Sequence, residues 1–255
     1  KEDQDTETIW WLNVGFGNRI WNGMHYNIIA PDNTGGGWNG FSTLAEFYDL
    51  FEGASNTNNI GDGQEERRGW VPDANNADET NLGIGYGFLI GQQYDVNGNK
   101  LEDRAKNDLV FTKELPGLVG NNERTGIRTI KYHPVNGSFT GHQIIFRYAD
   151  AYLMKAEAML WKGDNGPALD MVNDLRTLRK ASPLGSLDAA SMLDERGREL
   201  WIEYVRRMDM IRLGQFGKAW EFKDPGAVGD RNKELYPIPS NALLSNSNLV
   251  QNDGY

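Results

Sequence analysis

The residue pattern of this 255-residue chain changes character once, near residue 143, and that change constrains its fold more than any other feature. Before residue 142 lie 21 of the 30 glycines and five of the eight tryptophans, with asparagine pairs at Asn58-Asn59, Asn75-Asn76 and Asn121-Asn122. Glycine reaches positive φ at no steric cost and asparagine bonds its own backbone, so such a stretch predicts loops, turns and short strands. The clearest hairpin runs from Gln92 to Leu101, where Asn97-Gly98 is a favoured pair for a tight type I′ turn.

From Ile144 onward apolar residues recur with the period of a helix. Ile145, Tyr148, Ala149, Tyr152, Ala156, Met159 and Leu160 share one face, and Lys162-Gly163 suits a C-cap. A second helix follows Asp164-Asn165-Gly166, with Pro167 in its first turn and Ala168, Met171, Val172, Leu175 and Leu178 on its buried side. Small Ala156 and Ala168 let the two helices approach closely, in the size pattern of a tetratricopeptide hairpin. One such hairpin cannot bury both of its faces, so its cover comes from the glycine-rich half or from helices upstream. A third helix is expected from about Asp188 to Leu213, burying Leu193, Leu200, Tyr204, Met208 and Ile211.

Composition narrows the function classes. The excess of 36 acidic over 26 basic residues gives a formal charge of −10, which leaves no cation surplus for a polyphosphate backbone and speaks against nucleic acid. Cysteine is absent, so disulfides and thiolate metal sites are excluded. The longest apolar runs fall far short of the ~20 residues of a membrane helix, and the start Lys1-Glu2-Asp3-Gln4-Asp5 is no signal peptide, so the chain as written reads as soluble.

Motifs for catalysis or metal binding are weak. His25, His133 and His142 lack zinc-ligand spacing, and no nucleophile elbow is present. Asp95, Asn97 and Asn99 alternate like calcium ligands, but Lys100 and Lys106 stand where an EF-hand needs Gly and Glu, so a hairpin turn is the expectation. Glu199 and Glu203 stand one helical turn apart and could serve acid/base work, whereas Glu195 with Arg198, Glu203 with Arg207 and Asp209 with Arg212 have the spacing of helix-surface ion pairs. The charge network is the stronger reading. No catalytic residue, metal site or cofactor is assigned.

The run Gly35-Gly36-Gly37-Trp38-Asn39-Gly40-Phe41 lacks the Lys-Ser/Thr of a phosphate loop. Sugars present C–H patches on one face and hydroxyls at the rim, so a glycan site needs exposed flat rings edged by Asn, Asp or Arg. Trp10, Trp11, Trp21, Tyr26, Trp38 and Asn39 are therefore the candidate carbohydrate-binding residues. Trp38 could equally pack the loop onto the helices.

Several segments, in order, are similar to one family. Phe146 to Ala158, FRYADAYLMKAEA, resembles a signature of the SusD/RagB family of outer-membrane nutrient-binding lipoproteins. So do Val172 to Arg176, the helix from Glu195 to Gly214, the LYPIP of Leu235 to Pro239 and the closing NLVQNDGY of Asn248 to Tyr255. Upstream, Gly37 to Thr43 and Glu46 to Phe51 are similar to the family's GWNG region.

The resemblance implies a mainly α-helical fold in which tetratricopeptide-like hairpins pack with an irregular, loop-rich region containing short hairpins. Residues 1–143 would form that loop-rich, aromatic part and residues 144–255 the helical C-terminal region of one structural unit. It further implies a non-catalytic cell-surface protein that captures oligosaccharide or polysaccharide and delivers it to a TonB-dependent, SusC-like transporter. Such a protein is held at the outer membrane by a lipidated cysteine, here outside this sequence. Family members run to about twice this length, so the N-terminal half of the same protein is an expected partner. A glycoside hydrolase with a carboxylate pair, or a helical scaffold that binds only protein, are the rival readings.

Overall fold

The computed structural model describes residues 7–13, 23–29, 36–53, 64–71, 85–95, 97–131 and 142–255. Trp21, His133, Asn58-Asn59 and Asn75-Asn76 lie outside the described residues. The architecture is mixed rather than mainly helical, with short strands before residue 148 and helices concentrated after it.

The strands group into small antiparallel sheets. Strand β1 (Thr8–Asn13) pairs far along the chain with β7 (His142–Arg147), setting Trp11 opposite Ile144 and Trp10 opposite Phe146. Helix α1 (Ala45–Tyr48) precedes β2 (Gly69–Trp70), β3 (Tyr86–Leu89), β4 (Gly91–Gln92), β5 (Val110–Phe111) and β6 (Arg128–Ile130). β2, β3 and β6 form one sheet in that order, while β4 pairs with β5.

The β4–β5 ladder continues through bridges Tyr94–Lys100 and Glu102–Asp108, so the chain doubles back twice. Both reversals use one device. At the first, Asp95 N–H donates to Asn99 O and Gly98 N–H to Asp95 O; at the second, Asp103 N–H donates to Asn107 O and Lys106 N–H to Asp103 O. Gly98 (φ +79°) and Lys106 (φ +70°) hold the left-handed position. Each aspartate carboxylate accepts the N–H of the asparagine four residues on, at 2.9 and 2.8 Å. The turn expected at Asn97-Gly98 is thus closed one residue further out, by Asp95 and Asn99, with Asp95 Oδ1 accepting the backbone N–H groups of Asn97 and Asn99 and Oδ2 the Asn99 side-chain amide.

Helix α2 (Tyr148–Lys162) starts four residues later than its periodicity suggested, because β-branched Ile144 and Ile145 belong to β7. It ends on Gly163 in the left-handed C-cap position, as expected (φ +87°). Helix α3 (Asn165–Leu178) packs against it, with Ala156 and Ala168 both fully buried in one core with Leu153, Val172, Leu175, Met192 and Leu200. Leu178 stays exposed.

The single helix expected from Asp188 to Leu213 is two. Helix α4 (Ala189–Leu200) opens with a reciprocal cap between Asp188 and Ser191, and α5 (Arg206–Arg212) follows a break in which Ile202 and Tyr204 take positive φ. Left-handed backbone costs about 1–2 kcal/mol per residue. The break offsets that cost by dropping Trp201 into a core with Tyr48, Phe51, Phe88, Ile90 and Ile127, its ring stacked on Phe88 at 4.6 Å. Tyr204 and Met208, expected inside, are exposed as a result. A third core, of Met24, Ile28, Leu89, Leu109, Phe111 and Ile130, underlies the loop-rich side. The tail adds α6 (Ser240–Ser245), its turn held by Gln251, whose amide both accepts from and donates to the Ile238 backbone.

Candidate functional site

The glycine run makes a backbone seam. Gly36 bridges to Ile29, and a Cβ built on it would lie 1.7 Å from the carbonyl oxygen of Tyr26, so no other residue fits. Gly37 N–H donates to His25 O and Asn39 N–H to Met24 O, which lays residues 36–39 along residues 24–29. The seam leaves Trp38 with 70% of its surface exposed and brings the Asn39 side chain (φ +55°) onto Arg128.

Beside it opens a cleft of about 330 Å³ lined by Tyr26, Asn39, Phe41, Ser42, Arg104, Asn121, Asn122, Glu123, Thr125 and Arg128. Arg128 forms the floor. Its guanidinium donates to Asn39 Oδ1 from Nε (2.9 Å) and Nη2 (2.6 Å), and to the carbonyls of Thr125, Gly126 and Glu123 at 2.8 to 3.0 Å. Burial among these neutral acceptors pulls its pKa down to about 10, which still leaves it charged at neutral pH.

Arg104 forms the wall. Its guanidinium lies 4.1 Å over the Tyr26 ring centroid, and Glu123 anchors it by accepting from both its backbone N–H and its Nε at 2.9 Å. Glu123 Oε2 is also 3.3 Å from His25 Nε2, while His25 Nδ1 accepts the Asn27 N–H, which fixes a neutral Nε2–H imidazole. Burial lowers the His25 pKa despite the nearby carboxylate. Burial alone would raise the Glu123 pKa, but the Arg104 hydrogen bonds outweigh it and keep the carboxyl ionised.

The structure divides the residues singled out in the sequence. Tyr26 and Asn39 line the cleft and Trp38 adjoins Asn39; Trp21 lies outside the described residues. Trp10 and Trp11 sit on the separate β1–β7 ribbon, Trp10 stacked on Phe146 at 6.0 Å and 51% exposed. Sequence reasoning missed Phe41, Arg104, Glu123 and Arg128. Arg128 carried a signal, a lone charge between apolar Ile127 and Ile130 in a strand-like run.

Glu195 and Glu199 of α4, Glu203 of the break after it and Asp209 of α5 lie elsewhere and are buried, not on a helix surface. Glu195 pairs with Arg67, Arg176 and Arg198. Glu199 pairs with Arg67, Arg147 and Arg179, and Glu203 with Lys131 and Arg147. Asp209 pairs with Arg212 as the spacing suggested, while Arg207 instead donates to the carbonyls of Lys233 and Glu234. Burial would raise the pKa of Glu199, but the Arg179 hydrogen bond and the surrounding guanidinium charges hold it at about 2, so it keeps no proton to donate near neutral pH. Burial lowers Lys131 to about 8. Arg67, Lys131, Arg147 and Arg179 also line a second cavity, of about 320 Å³, with Tyr86, Ile130 and Trp201. Among the described residues no group of three or more His, Cys, Asp or Glu side chains is placed to hold a metal ion.

A sequence model of the SusD family matches residues 6–255. Among curated proteins, the chain is 34% identical over 118 residues to the starch-binding protein SusD of Bacteroides thetaiotaomicron, an alignment covering 44% of this chain and 21% of that protein. It is 32% identical over 145 residues to a SusD-like protein, P38, of Formosa agariphila, covering 51% and 28%. Among solved structures, a SusD-like protein of Bacteroides fragilis superposes on the whole chain with a TM-score of 0.65 at 20% identity, and surface glycan-binding protein A of Bacteroides uniformis on 98% of it with 0.55 at 18%. The chain spans 55% and 49% of those two structures.

Proposed function

This chain belongs to the SusD family, and from that premise we propose that it is a non-catalytic glycan-binding unit of a cell-surface uptake system. The observation that carries the reading is an exposed ring, Phe41, in a cleft edged by Asn39, Asn121 and Asn122, with exposed Trp38 next to Asn39 in the chain. Flat rings take the C–H face of a sugar and amide side chains take its hydroxyls. The starch-binding relative supports this ligand class. Trp10 and Trp11, open on β1, offer a second platform for a longer polymer. In this reading the protein concentrates oligosaccharide at the outer membrane, held by a lipidated cysteine outside this sequence, and passes it to a TonB-dependent, SusC-like transporter. No helix of the described residues is long and apolar enough to cross a membrane.

We place the N-terminal half of the full protein, as further tetratricopeptide-like hairpins, against the outer side of α2. Met154 and Trp161 stand exposed there, two turns apart on one face. Lengthening the chain upstream should shift Trp161 emission to the blue, and unchanged emission would argue against this packing.

Titration calorimetry against neutral and acidic polysaccharides tests the capture role. Binding should be weakened about tenfold or more by Trp38→Ala and less by Trp10→Ala, with the far-ultraviolet spectrum preserved. Release of new reducing ends would replace capture with hydrolysis.

A further inference from the structure

Counting charges around the cleft and the adjoining 390 Å³ hollow, which share Arg104, Asn121, Asn122 and Glu123, gives three cations and two carboxylates. Asp103 pairs with Arg124 at 3.1 Å and Glu123 with Arg104 at 2.9 Å. Arg128 is left over. Its hydrogen bonds all end on an amide or on carbonyl oxygens, so among the described residues its charge has no carboxylate counterpart, in a site where burial weakens screening. In a chain of formal charge −10 this is a local reversal of sign.

Arg104 supplies the second observation. Its Nε is tied to Glu123 and its plane is fixed on Tyr26, while its two Nη groups have no partner among the described residues, and 64% of the side chain is exposed. A guanidinium locked at one edge presents the other as a ready fork. That geometry matches the paired oxygens of a carboxylate or a sulfate and loses little side-chain freedom on binding.

We propose that this cleft selects an anionic sugar, one bearing a carboxylate or sulfate group on its ring, with Arg104 gripping the anionic group and Arg128 providing the uncompensated positive field. The inference rests on the glycan-capture reading and adds the charge of the ligand to it. Arg104 also covers one face of Tyr26, so the stacking surfaces left to the sugar are Phe41 and Trp38.

Affinity electrophoresis through gels containing pectate, alginate or carrageenan, beside gels containing starch or neutral galactan, tests the choice. The wild-type chain should be retarded at least tenfold more strongly by an acidic polymer than by its neutral counterpart, and the preference should fade between 50 and about 500 mM salt, as a charge contact requires. The carboxylate and sulfate gels separate the two forms of anion. Arg104→Ala should cost about tenfold or more in acidic-polymer affinity, and Arg104→Lys, which keeps the charge but not the fork, should recover part of it. Asn39→Asp, which places a carboxylate on Arg128, should weaken acidic binding by supplying the missing counter-charge. Equal affinity for neutral polymers, untouched by Arg104→Ala, would overturn this inference and leave the capture reading standing. No retardation by any polymer would remove both for this chain.

Discussion

Replacing Glu199 by glutamine keeps the shape of the side chain and removes its charge, and the structure sets what this should cost. Three guanidinium groups, from Arg67, Arg147 and Arg179, converge on the Glu199 carboxylate at 2.7 to 3.3 Å, and 2% of that side chain is exposed. Its pKa of about 2 in the fold compares with an ordinary value of 4.5. A gap of roughly 2.5 in pKa, at about 1.4 kcal/mol each, makes the ionised form worth about 3 kcal/mol to the folded state. That agrees with the roughly 3–5 kcal/mol lost when one partner of a buried ion pair is removed. The sign follows from the depressed pKa. This stability is complete above pH 4.5 and drains away as pH falls toward 2, because the unfolded chain takes up the proton more readily. Urea melts of both proteins at pH 7 should differ by about 3 kcal/mol, or roughly 10 °C in Tm for a domain of this size. The two should converge as pH is lowered, since the glutamine mimics the protonated acid. A loss below about 1 kcal/mol at pH 7, or a difference that stays constant from pH 6 to 2.5, would refute the reasoning.

Three further outcomes are expected. Gly36→Ala forces a methyl group into the Tyr26 carbonyl and should destabilise the chain by about 2 kcal/mol or more; an unchanged melting curve would mean that the seam is not fixed as described. Trp201→Ala empties the stack on Phe88 and should cost about 3–5 kcal/mol with loss of near-ultraviolet dichroism, so a native-like spectrum would speak against that core. Asp188→Ala removes the reciprocal cap of α4 and should cost about 1 kcal/mol in a thermal melt, and an indifferent melt would mean the cap is idle.

How much was legible in the sequence depended on whether the deciding partner was local. The α2–α3 pair was readable because helical periodicity, the Gly163 cap and the two small alanines are short-range signals. The start of α2 was misread because Ile145 suits a helix face as well as a strand, and the arbiter was β1, more than 130 residues away. The break after Leu200 was hidden for the same reason. Nothing between Trp201 and Val205 breaks a helix, and the backbone turns there because Phe88 and the Lys131–Arg147 pair take up Trp201 and Glu203. The spacing of Glu195 and Arg198 gave the ion pair but not its burial, which comes from Arg67 and Arg176. At the cleft, the rings and Asn39 could be nominated from composition. Arg104 and Arg128 meet them only through the seam at Gly36 and the second of the two like turns.

The buried ionic cluster also dictates an order of assembly. Arg67, Arg147 and Arg176 each have one carboxylate made before them, in Glu65, Glu7 and Glu52. Their remaining partners, and the Glu203 and Glu199 that pair with Lys131 and Arg179, all follow, so an emerging polypeptide holds these cations before their carboxylates are complete. Until α4 leaves the ribosome, closing the structure around those cations would bury positive charge in excess of the carboxylates yet made, which disfavours a closed core. A nascent chain ending at residue 188 should therefore be protease-sensitive, where one ending beyond residue 213 should leave a protected body, as timed digestion of stalled nascent chains would reveal. The last-made carboxylates thus complete the neutralisation of cations made long before them.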